Sequence, residues 1–196
     1  MKYSARKPQP RHIGNSKQKG FSLAELSLYI AIVIILSVAA IAGYKAFVIS
    51  GRVSTMATEL QRIGQRLTLN ADGMGATPYT TLTTDEVCNI ARGGAIITSA
   101  GTGNGTTCTH SLVAFGSGNV SATPGTVINA GDAWTIQVDN VSSFACPDLG
   151  ATMNRSVVVI SINGTVVKPA NGTFNAAAAA AACTLLDTNQ FQFTGA

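Results

Sequence analysis

A chain of 196 residues is long enough for one globular domain plus an extended element. Thirteen basic residues against nine acidic ones would suit a nucleic-acid partner if they were spread over a surface. Six of them, Lys2, Arg6, Lys7, Arg11, Lys17 and Lys19, instead precede Phe21, where no acid occurs, and the chain from Phe21 onward carries seven basic and nine acidic residues. With Tyr3 as its sole aromatic residue, the basic stretch reads as the positive flank of a membrane segment and not as a nucleic-acid patch.

From Leu26 to Tyr44 run 19 residues without a charge. At about 1.5 Å per residue they span most of a hydrocarbon layer roughly 30 Å thick. Three readings suit such a run: a permanent anchor, an ordinary secretory signal, and a signal whose apolar part stays on the mature chain. Ala40 and Ala42 before Gly43 form a small-residue pattern of the kind signal peptidase cuts, which would release a secreted binding module beginning at Gly43. Against that reading, both the apolar run and the basic stretch ahead of it are longer than those of ordinary secretory signals.

Directly ahead of the run stands KGFSLAE, in which Lys19-Gly20 precede Phe21 and Glu25 is the fifth residue counted from Phe21. This combination resembles the type IV pilin and pseudopilin family, whose precursors are cut between Gly and a hydrophobic residue and carry Glu at the fifth mature position. The resemblance implies a leader over residues 1–20, cleavage between Gly20 and Phe21 by a prepilin peptidase, and N-methylation of Phe21. It further implies a single-pass protein of the bacterial inner membrane that the pilus assembly machinery polymerises into an extracellular helical homo-oligomer.

A cut after Gly20 creates an α-amine with a reference pKa of about 7.7–8.0, and Glu25 lies one helical turn away from it. The first turn of a helix favours a carboxylate by roughly 0.3–1 kcal/mol, whereas an acid at mid-membrane costs on the order of 3 kcal/mol. The resemblance supplies the partner that offsets this cost: the amine of a neighbouring subunit's first residue, which makes Glu25 an assembly residue that sets axial register. The plainer reading is that Glu25 only starts a helix at the membrane interface.

Beyond the apolar run, Ile49, Val53, Met56, Leu60, Ile63 and Leu67 follow the four-three alternation of an amphipathic helix, with Arg52, Glu59, Arg62 and Arg66 off the stripe. The stripe is expected to pack on the chain's own core. One helix from Phe21 to about Asn70 would be roughly 75 Å long. Its parts are 21–44, membrane-embedded and later filament core, and 45–70, amphipathic. Gly43, Gly51 and Gly64 each lower helix stability by about 1 kcal/mol relative to Ala, which leaves room for bending or local melting near them.

From residue 71 to 196 the composition turns rich in Gly, Ser, Thr and Asn, which predicts a β-rich head. In VVVISINGTVVK two β-rich arms flank Asn163-Gly164, the favoured pair for a two-residue hairpin. AWTIQVDNV places Trp134, Ile136 and Val138 on one face of another strand, and QFQF predicts a short terminal strand. SAGTGNGTTC lacks the spacing and the following helix of a phosphate loop and reads as surface loop. Asn175, seven alanines and CTLLD suggest a short capped helix, with a low-complexity alanine run as the alternative. The fold class is therefore α+β: a long N-terminal helix packed on a small antiparallel sheet, the arrangement of pilins, with a disulfide-closed C-terminal region.

Cys88, Cys108, Cys146 and Cys183 have no CxxC spacing, and His12 and His110 are the only histidines, so neither a metal nor a cofactor is expected. Two disulfides are the economical reading, with three possible connectivities. Cys88 with Cys108 and Cys146 with Cys183 are favoured because near neighbours are easily joined, and the second pair resembles the C-terminal loop disulfide of pilins. The ending AAACTLLDTNQFQF and the 20-residue leader resemble the major pilins of conjugative thin pili in the type IVb class; Phe21 departs from that pattern, being more typical of type IVa.

No paired Ser and His arrangement points to an enzyme, and Asp72, Asp85, Glu86, Asp132, Asp139, Asp148 and Asp187 are scattered as solvated loop charges are. Asp85-Glu86 is too little for a calcium site, and six Asn-x-Ser/Thr triplets are expected by chance in this composition. The expected function is a structural subunit of a type IV pilus for adhesion or conjugation. A pseudopilin of a type II secretion system is the first alternative, and a secreted binding module the second.

Overall fold

The computed structural model describes Gly20 and residues 22–101, 103–114 and 116–196. The leader up to residue 19, and Phe21 with its expected cleavage and methylation, lie outside the described residues. The chain divides into two compact units, one reaching to Ile41 and one comprising Ala42–Ala196.

The first unit holds the beginning of helix α1 (Leu23–Ala71), whose side chains there are exposed apolar groups on every face, Leu28, Ile32 and Ile35 among them. Such a surface is stable in water only when something apolar covers it. By length and composition α1 is sufficient to cross a membrane.

In the second unit α1 changes pattern. Ile49, Val53, Met56, Leu60, Ile63 and Leu67 are buried and belong to one hydrophobic cluster with the head. The helix runs unbroken past Gly43, Gly51 and Gly64. At Gly64 a helical glycine is required by packing: a methyl group there would stand 2.7 Å from Cζ2 of Trp134.

The head continues with α2 (Thr84–Ala91), β1 (Ile97–Ala100), β2 (Thr107–His110), β3 (Gly118–Thr126), β4 (Ala130–Val141), α3 (Cys146–Met153), β5 (Val159–Ile162), β6 (Thr165–Lys168), α4 (Ala176–Ala182) and β7 (Asn189–Gly195). The seven strands form one antiparallel sheet in the order β1-β2-β3-β4-β7-β5-β6. Inserting the terminal strand between β4 and β5 makes it central, and Phe191 and Phe193 are fully buried and stacked at 5.4 Å.

Trp134, Ile136 and Val138 face the core from β4. The hairpin turns at Asn163 (φ 49°) and Gly164 (φ 80°), as a two-residue turn with both central φ values positive requires. Ser99 and Ala100 end β1 and Thr107 and Cys108 begin β2, so the glycine-rich stretch is strand at each end. Asn175 caps α4 through a bond from the Ala178 N–H, and the helix stops at Cys183 with CTLLD outside it, a correction to the longer expectation.

Candidate functional site

Within KGFSLAE, Ser22 and Glu25 form a reciprocal cap. The Ser22 N–H donates to Glu25 Oε2 at 2.9 Å, and the Glu25 N–H donates to Ser22 Oγ at 3.2 Å. Ser-x-x-Glu is thus a capping box, satisfying two N–H groups that the first turn leaves without helical partners. This pattern was legible in the sequence and gives Glu25 a local role that the charge argument alone did not include. Gly20 lies exposed immediately ahead of it.

The head is fastened around buried polar groups. Cys88 on α2 is bonded to Cys108 on β2, and Cys146 at the start of α3 to Cys183 at the end of α4, with Cα separations of 5.3 and 6.0 Å. Glu59, placed off the apolar stripe by its spacing, is only 8% exposed. Its carboxylate accepts from the N–H groups of Ala95 (2.6 Å), Ile96 (3.1 Å) and Ile97 (2.7 Å), tying α1 to the start of β1. Helical periodicity could not reveal this, because the partners are backbone groups 36–38 residues away.

His110 bridges two strands' ends: its Nδ1 accepts from the Leu112 N–H at 3.0 Å and its Nε2 donates to the Asp139 carbonyl at 2.7 Å. Burial pushes the imidazole below its ordinary pKa, with the Asp139 carbonyl and carboxylate pulling the other way. Asp132 accepts from the N–H groups of Val127, Ile128 and Asn129, and these bonds hold its carboxyl below the usual range. Asp139 takes bonds from Gln137 and Gln190, Asp85 from the Gly105 N–H and Asp187 from the Ala114 N–H, so several of the scattered acids close loops.

Asn189, fully buried at the start of β7, donates to the carbonyls of Val141, Thr184 and Leu186 and accepts from Thr184 and Asn163. It fixes the segment between α4 and β7. Among the described residues no group of His, Cys, Asp and Glu has the arrangement of a metal site.

Two assemblies of residues therefore stand out: an apolar helix beginning in a capped Glu25, and a disulfide-closed α+β head. Together they define the fold of a type IVb pilin. Accordingly, the chain is similar to a solved structure described as the crystal structure of a type IV b pilin from Salmonella typhi, with TM-score 0.52 and 22% identity, over 70% of this chain and 95% of that one. Residues 50–196 match the family model described as PilS N terminal, and the chain belongs to that family of type IV pilins. No match is found among curated protein sequences. The matched region begins at Ser50, so the cleavage motif and the apolar run are carried by their own residues.

Proposed function

We propose that this pilus subunit enters the bacterial inner membrane through residues 26–44, is cut between Gly20 and Phe21 and N-methylated on Phe21 by a prepilin peptidase, and is then polymerised into an extracellular fibre. The observation that carries the proposal is the sharp change along α1, from apolar side chains exposed all round to a single buried stripe. A surface of that kind needs lipid before assembly and other copies of itself afterwards.

Glu25 serves twice in this reading. One carboxylate oxygen, Oε2, caps the helix, and the other is available to the amine of a neighbouring subunit's first residue. The leader and terminal sequence favour conjugation or adhesion by a thin pilus as the biological task.

N-terminal sequencing and mass measurement of the mature protein test the proposal. Methyl-phenylalanine at Phe21 is expected; a chain starting at Gly43 would replace the pilin pathway with ordinary secretion. Electron microscopy of sheared surface fibres separates a pilus from a pseudopilus, since only the former gives long filaments.

A further inference from the structure

Two features of the head stand at opposite ends of β7. At its beginning, the segment after Cys183 presents Leu185, 94% exposed, and Leu186, 68% exposed. Exposed leucines on a mobile loop would mean little, but this one is pinned by the bonds of Asn189 to Thr184 and Leu186 and by the bond from Ala114 to Asp187. It is a held apolar knob with an acid beside it.

At the other end of β7 lies a cavity of about 560 Å3, lined by the apolar Leu69, Trp134, Met153 and Val157 and by the polar Gln61 and Thr68, with Arg155 on its margin. Its far wall is also held, because Lys168 Nζ donates to the carbonyls of Asn154 and Val157. Trp134 is 3% exposed, and its indole N–H has no hydrogen-bond acceptor among the described residues. Arg155 is exposed and has no ion pair or hydrogen bond among the described residues.

From Asn189 to Gly195 the strand covers about 20 Å, so knob and cavity cannot meet within one head. The direction of α1 fixes how two heads meet. Arg52 of α1 donates to the Ser111 carbonyl, three residues before the Ala114 that bonds Asp187, whereas Gly64, about three turns further along, packs on Trp134 at the cavity. Copies drawn from one membrane share one helix polarity, and the knob end of each then faces the cavity end of the next. A contact between unlike surfaces repeats without closing, which generates a filament.

We infer that Leu185 and Leu186 of one copy seat in the Trp134 cavity of the next, with Asp187 brought to Arg155, as a head-to-tail contact that supplements the apolar helix. The two sides match in chemistry: leucines meet the apolar part of the lining, and an acid meets a guanidinium with no partner among the described residues. This inference rests on the pilus-subunit reading, and the experiment separates the two.

The full chain carrying Leu185→Cys and Arg155→Cys, both exposed positions, is expressed in cells that make fibres, and sheared fibres are treated with a bismaleimide. A ladder of covalent multimers is expected from the double variant, with none from either single variant. Assembled fibres that give no ladder overturn the contact and leave the pilus subunit intact; a wild-type chain that makes no fibre overturns the subunit reading itself. Should the double variant not assemble, Leu185→Asp with Leu186→Asp decides: a head with unchanged thermal melting but fibre yield lowered at least tenfold supports the contact, and unchanged yield overturns it.

Discussion

The two halves of α1 are continuous in backbone and opposite in side-chain fate. Up to residue 41 the helix is apolar around its whole circumference, and Ile35 is 68% exposed; from Ile49 onward the apolar residues form one stripe, and Leu60 is fully buried. The stripe has its partner in the same chain. The first half has none there, and an apolar surface of that extent is stable only against lipid or other helices. Burial within the folded head and burial within an assembly are thus written into different periodicities of the same element.

The comparison is broken hardest at Glu25. If the first half is an assembly surface, Glu25→Ala leaves a neighbouring amine unpaired among apolar helices, where loss of one partner of a buried pair costs about 3–5 kcal/mol. Fibre yield by shearing should fall by a hundredfold or more, while the melting temperature of the head stays as it was. Leu60→Ala should do the reverse. Removing a fully buried leucine costs about 2–5 kcal/mol of head stability, readable as a lower urea midpoint. The matched control is Ile35→Ala, expected to leave that midpoint unmoved and head stability within about 0.5 kcal/mol of wild type. Equal shifts from both substitutions would erase the distinction between the halves.

The glycines sharpen the same contrast. At Gly51 an added methyl meets nothing within 4 Å, and Gly51→Ala should raise stability by up to about 1 kcal/mol through helix propensity. At Gly64 the methyl meets the Trp134 ring, and Gly64→Ala should lower stability by about 1–3 kcal/mol despite the same propensity gain. Chemical denaturation of the two variants should therefore move in opposite directions.

Local pattern made much of this legible. The charge-free run, the four-three stripe, the Asn163-Gly164 turn, the Trp134 strand and the Asn175 cap all depend on residues a few positions apart, and each is found where the pattern put it. What the pattern did not contain were contacts between distant residues. Two short helices, α2 and α3, and the strands β1 to β3 were not among the expected elements; α2 and β1 to β3 are held by the Cys88–Cys108 bridge, by Glu59 and by neighbouring strands. Glu59 stood off the apolar stripe by its spacing, and its burial comes from partners in another element, as does the bond of Asn189 to Val141. The site at Glu25 was read from charge, yet its capping geometry follows from Ser22 three residues earlier.

The smallest effect concerns His110, which belongs wholly to the head half of the comparison. Its Nδ1 is a hydrogen-bond acceptor in the fold, so a proton added there would face the Leu112 N–H and break that bond. The folded head holds the imidazole below its ordinary pKa of 6.5, whereas the unfolded chain takes up a proton near that value. Unfolded molecules then bind more protons than folded ones over the interval below 6.5, and stability falls as pH drops through it until the folded imidazole also titrates. Asp132 adds a separate loss only at much lower pH, below its ordinary 3.8, because its folded carboxyl is held down by backbone N–H groups. Urea midpoints of the wild type should therefore decline between neutral pH and mild acid. In His110→Gln the overall stability is lower and that decline disappears; a variant that keeps the wild-type slope would move the acid sensitivity to another group.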